Sequence, residues 1–235
     1  MEEIIRHIRE DLRKYSSADH RRSGERYFRE AVKLYGVKAS DIRRIAKEHF
    51  KQLDDRNKSN VFRHCEILFR SGMMEEALIA CLWADNMHRQ FQPGDFHIFD
   101  RWINSYITNW ATCDTLCNHA VGNLVMACPE LIHELKIWAR SENRWARRAA
   151  AVSLIIPARK GLFPDDIIDI ASILLTDRDD MVQKGYGWLL KVCSEARLKM
   201  VFDFVMDKKE IMPRTALRYA IEKMPPEMKA EAMKK

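Results

Sequence analysis

Apolar residues recur at intervals of three and four along nearly the whole of this 235-residue chain, and no convincing run of strict apolar–polar alternation lies between hairpin turns. That spacing belongs to helices which each bury one stripe, so the expected fold class is all-α. The pattern predicts about fourteen helices, over 2–15, 22–35, 40–50, 58–71, 74–84, 95–107, 111–127, 129–139, 144–156, 165–175, 179–193, 195–206, 211–223 and 226–234. Gly36, Ser71-Gly72, Gln92-Pro93-Gly94, Cys128-Pro129, Gly161 to Pro164, Met212-Pro213 and Pro225-Pro226 break them, and none of these connectors is long enough to be a linker. Helices of about 10–15 residues joined by tight turns resemble stacked helical pairs more than a four-helix bundle, whose helices run longer. In the C-terminal half helix starts fall near 129, 144, 165, 179, 195 and 211, so pairs recur at about 35 residues. The expected architecture is a curved superhelical stack of HEAT-like repeats, forming one domain over 1–235.

A stack of this kind presents a concave surface, and charge decides what that surface attracts. The chain carries 40 basic and 34 acidic residues, a formal net charge of +6, which favours an anionic partner. With 47% hydrophobic residues the chain is not disordered. It has no apolar run of roughly 18 residues to span a membrane, and the start Met1-Glu2-Glu3-Ile4-Ile5 is too acidic and amphipathic for a signal peptide. A cytoplasmic location is therefore expected. The six cysteines sit mostly within apolar helical patterns, where a reduced thiol behaves as a small hydrophobe, and no disulfide is expected.

Three stretches carry candidate chemistry. In Asn109-Trp110-Ala111-Thr112-Cys113-Asp114 the i, i+4 spacing puts an indole and a carboxylate on one helical face. A core tryptophan beside a capping or salt-bridged aspartate would have the same spacing. Arg144, Arg147 and Arg148 flank the apolar stripe Trp145, Ala149, Val152 and Ile156, so guanidinium forks suited to phosphate can adjoin a packed face, although a solvated face fits equally. In Lys184-Gly185-Tyr186-Gly187-Trp188 two glycines sit inside a predicted helix, each at a cost of about 1 kcal/mol relative to alanine. Either close helix packing or access of a nucleic-acid backbone to Trp188 would account for them. Further basic residues gather at Arg21-Arg22, Arg26, Arg43-Arg44 and Lys47, around Lys38, and at Arg214 and Arg218. Cys113, Cys117 and His119 do not form a metal set, because 119 points away from the face shared by 113 and 117. No Gly-rich phosphate loop, nucleophile elbow or zinc-protease motif is present, and no metal or cofactor is expected.

Taken together and in order, Asn-Trp-x-x-x-Asp at 109–114, Trp-x-x-Arg-Ala-Ala at 145–150 and Gln-Lys-x-x-Gly-Trp at 183–188 resemble the AlkD-type DNA glycosylases, HEAT-like-repeat enzymes that excise alkylated purines. The resemblance runs from about Tyr27 to Arg214. It implies that Trp110 and Trp188 flank the deoxyribose of the lesion, that Asp114 supports hydrolysis and that Arg148 holds the DNA backbone. It also implies DNA contacts for Tyr27 and the Lys38 to Arg43 segment; Arg144, Arg147, Lys184 and Arg214 are further DNA-binding candidates on their charge. The implied reaction is hydrolysis of the N-glycosidic bond of cationic alkylpurines in duplex DNA, without flipping of the damaged base. The implied partner is double-stranded DNA; a monomer is the default expectation, with no membrane and no obligate protein partner. Cys113, Cys117 and Met212-Pro213 depart from the family pattern and bear on substrate choice. The competing expectation is a non-catalytic relative that binds DNA or scaffolds other proteins on the same repeat architecture.

Overall fold

The computed structural model describes residues 2–234. Among them there is no β-strand; a single isolated parallel bridge joins Lys33 to Met73. The helices divide between two compact units, the residues up to Gln92 with Ser105–Leu116, and Pro93–Asn104 with the residues from Cys117 onward.

The first unit holds α1 (Glu2–Lys14), α2 (Ala18–Tyr27), α3 (Ala39–Lys51), α4 (Lys58–Arg70), α5 (Met74–Asp85) and α7 (Trp110–Thr115). Its core is built from helical stripes: Ile5, Ile8 and Leu12 of α1, Ile42 and Ile45 of α3, Val61, Cys65 and Leu68 of α4, all buried. Trp83 of α5 is fully buried and donates its indole N–H to the Ala46 carbonyl at 2.8 Å, so the core's largest side chain leaves no orphan donor.

The helix expected over 22–35 is displaced. The chain is helical over Ala18–Tyr27, leaves the helix at Phe28 and runs non-helically to Lys38. The far end of that non-helical stretch is held from forty residues away, at the start of α5. Glu75 is 1% exposed, and its carboxylate accepts the backbone N–H groups of Tyr35 (3.1 Å), Gly36 (2.8 Å) and Val37 (3.2 Å), which fixes the non-helical stretch ahead of α3. Glu76, equally buried, takes the Arg9 guanidinium (Nη2 at 3.0 Å) and the Tyr35 hydroxyl (2.7 Å). Burial, then the bond to Glu76, pushes the Tyr35 phenol up to about 12. Gly36 has φ +88°, and a Cβ there would fall 2.4 Å from the Ser17 carbonyl, so only glycine fits.

The second unit holds α6 (Phe96–Ser105, apart from its last residue), α8 (Gly122–Ala127), α9 (Ile132–Trp138), α10 (Arg144–Val152), α11 (Ile155–Arg159), α12 (Pro164–Ile173), α13 (Asp180–Ala196), α14 (Leu198–Lys208), α15 (Arg214–Ala220) and α16 (Pro226–Met233). Two of the fourteen expected helices are interrupted: 111–127 by a π-helical turn over Leu116–Val121, and 144–156 between α10 and α11. The hub is α13, against which α10, α11, α12, α14 and α15 all pack. Its buried face carries Val182, Tyr186, Leu189, Leu190 and Cys193. Tyr186, fully buried, donates its hydroxyl to the Leu175 carbonyl at 2.9 Å, and burial raises its pKa.

Candidate active site

In the first unit the site is built on α7. Buried Asn109 caps the helix by accepting the Thr112 N–H at 3.0 Å, and the Thr112 hydroxyl bonds back to the Asn109 carbonyl at 3.2 Å. Thr112 and fully buried Cys113 face the core, where the Cys81 thiol donates to the Thr112 carbonyl at 3.7 Å. This anchorage leaves Trp110 and Asp114, one turn apart, half-buried on the other side. Trp110 is therefore not a core residue. Its ring lies in an aromatic cluster: Phe28 is stacked on it with centroids 5.5 Å apart and planes at 27°, and Tyr27 meets it edge-on at 5.9 Å and 64°. Tyr27 is 71% exposed.

Tyr27 was among the expected contact residues; Phe28 was not. The sequence signal for Phe28 is faint, an aromatic inside a span whose periodicity reads as helix through residue 35. Lys38 and Arg43 are exposed at the start of α3. Arg44, by contrast, is tied to Asp41 at 3.1 Å and Glu48 at 3.2 Å and lies 4.3 Å over the Tyr15 ring. Cys113 and Cys117 are fully buried and His119 is exposed; among the described residues no three His, Cys, Asp or Glu side chains are grouped to hold a metal.

In the second unit each of the three arginines of α10 has partners within the protein. Arg147 donates from Nε to Asp177 at 2.6 Å and from Nη1 to the Ser141 and Glu142 carbonyls at 2.9 Å. Arg144 pairs with Asp179 at 2.9 Å and lies 4.6 Å over the Trp145 ring. Arg148, only 5% exposed, donates to the Met181 carbonyl. All three bind α10 to the turn that starts α13, where Asp179 also caps the helix through the Met181 and Val182 N–H groups.

The two glycines of α13 serve packing within the unit. A Cβ on Gly187 would lie 2.7 Å from Tyr219 Cβ and 2.9 Å from the Ala216 carbonyl oxygen, so α15 rests directly on the α13 backbone. A Cβ on Gly185 would press on Arg148 Cγ at 3.3 Å. Trp188 itself is half-buried, Lys184 pairs with Asp180 at 3.1 Å, and Arg214 is exposed at the first position of α15.

A sequence profile described as DNA alkylation repair enzyme matches residues 8–224. The chain belongs to the DNA alkylation repair enzyme family. No curated protein matches the sequence. Among solved structures, the chain is similar to one described as "Predicted DNA alkylation repair enzyme from Enterococcus faecalis", with a TM-score of 0.79 at 16% identity, covering 90% of this chain and 97% of that one. At that identity the likeness concerns the fold, and it assigns the all-helical repeat fold of the DNA alkylation repair family to this chain. The family profile spans both the α7 site and the α10–α13 arrangement, and all three motifs of the sequence lie inside it.

Proposed function

We propose that the protein is a DNA glycosylase that releases cationic alkylated purines from duplex DNA. The observation that carries this reading is α7, which presents a half-buried indole and a carboxylate one turn apart on a helix anchored by its other face. A purine alkylated at N3 or N7 already bears positive charge, so its glycosidic bond is weakened and the base leaves without a general acid. As the C1′–N bond breaks, its electron pair passes to the base and neutralises it, while positive charge grows on the sugar. The Asp114 carboxylate opposes that charge, and the electron-rich face of Trp110 adds a second attraction. A water oxygen, oriented by Asp114, then bonds to C1′ as its proton passes to solvent.

Trp188 is proposed as a further aromatic contact to the DNA, and its half-buried position on α13 supports this. Tyr27, Lys38, Arg43 and Arg214, all exposed, are proposed as contacts to the DNA. Lys184, Arg144, Arg147 and Arg148 have intramolecular partners, so their proposed part in binding begins with shaping the start of α13; any remaining donors then serve phosphate. The test is base release from a duplex carrying a single 7-methylguanine, with Asp114→Asn as control. Release by the parent and its loss in the variant, with duplex binding retained, is the expected result. A parent that binds DNA yet releases no base would favour the non-catalytic alternative.

A further inference from the structure

We propose that Phe28 is a positioning residue for catalysis: it fixes the Trp110 indole by stacking on one face, so that the opposite face meets the sugar. This rests on the glycosylase reading above. The two ring-bearing backbones are held independently of each other. Trp110 is the first residue of α7, placed by the Asn109 cap. Phe28 ends α2, its N–H bonded to the Gly24 carbonyl at 3.3 Å, and the chain beyond it is pinned at Tyr35 to Val37 by Glu75.

An indole at a half-exposed position on a first helical turn has several rotamers open to it. The flat contact with Phe28 at 27°, closed at the side by the Tyr27 edge, selects one of them. Tyr27 and Phe28 are themselves perpendicular, at 88° and 5.6 Å, so the three rings form one interlocked cluster. The helix that delivers two of them has no buried residue at all, and buried Leu34 rests over its Gly24, so the end of the helix is held apart from the rings as well. Charge–quadrupole attraction depends steeply on distance and on which part of the ring faces the cation, so an indole free to swing would lose rate before it lost DNA affinity.

The experiment compares Phe28→Leu with Phe28→Tyr, which keeps a flat ring. Single-turnover release of 7-methylguanine at saturating protein should fall about 10-fold or more in Phe28→Leu and return to within about 3-fold of the parent in Phe28→Tyr. Affinity for an unmodified duplex and the melting temperature should stay near parental values. Parental rates in Phe28→Leu, or equal slowing in both variants, would overturn the proposal. If the parent releases no base, the glycosylase reading fails separately and positioning is read from Trp110 itself. Acrylamide quenching of the emission lost in Trp110→Phe should be stronger in Phe28→Leu than in the parent, and equal quenching would overturn it.

Discussion

Replacing Glu75 by alanine tests how the segment leading from Phe28 to α3 is held. The carboxylate is 1% exposed and serves three backbone N–H groups, at 2.8, 3.1 and 3.2 Å, two of them on buried residues. Truncation strands these donors in a site that water reaches poorly. A buried unsatisfied group costs about 1–3 kcal/mol, so two fully buried donors and one partly buried one give a loss of about 3–5 kcal/mol once relaxation is allowed for. Urea unfolding followed by circular dichroism at 222 nm reads this directly. With an m-value of about 2.5 kcal/mol/M the midpoint should move down by roughly 1–2 M. Glu75→Gln keeps one acceptor oxygen for Gly36 and Val37 but turns an NH2 toward the Tyr35 N–H, so about half the loss should remain. A shift below about 0.4 M in Glu75→Ala, equivalent to about 1 kcal/mol, would mean that the segment is held by something other than this carboxylate.

Gly187→Ala gains about 1 kcal/mol of helix propensity but forces a Cβ to within 2.7 Å of Tyr219 and 2.9 Å of a backbone oxygen, so a lowered melting temperature is expected; an unchanged or higher one would show that α15 yields easily. Arg43→Ala should flatten the dependence of log affinity on log salt by about one unit at an unaltered melting temperature. Arg147→Ala, which removes the Asp177 pair, should instead lower the melting temperature, and interchange of these two phenotypes would reverse the roles assigned. His64 is buried against Trp83 with Nδ1 2.8 Å from the Asn60 carbonyl, and desolvation holds its pKa below the usual histidine value. The unfolded chain then binds the proton more readily, so stability is lost as pH falls below about 6.5. His64→Gln should unfold with a flatter pH dependence between pH 7 and 5, and parallel profiles would exclude His64 from that linkage.

Local periodicity made most helices legible, because a buried stripe writes itself into the spacing of Ile5, Ile8 and Leu12 or of Val61, Cys65 and Leu68. Residues 28–35 have the same kind of spacing and are not helical, and the end of that stretch is held by Glu75, which no local window contains. The same limit governed the arginines of α10. Their residue types announced guanidinium chemistry, while their partners Asp177 and Asp179 stand some thirty residues on. Gly185 and Gly187 signalled a close approach, and only the third dimension identified the approaching groups as Arg148 and α15. On α7 the pairing of Trp110 with Asp114 was readable from i, i+4 spacing; the stacking of Phe28 on Trp110 was not, since it depends on α2 ending where it does.

The proposed reaction depends above all on the carboxylate of α7. Its most direct test is the single-turnover rate of 7-methylguanine release from duplex DNA at saturating protein, for the parent and for Asp114→Asn. The side chain keeps its shape in this variant and loses its charge, so the account predicts release above background by the parent, a fall of about 100-fold or more in the variant, and unmodified-duplex affinity within about 2-fold of the parent. Equal rates for the two proteins would contradict the proposed chemistry and take Asp114 out of the reaction.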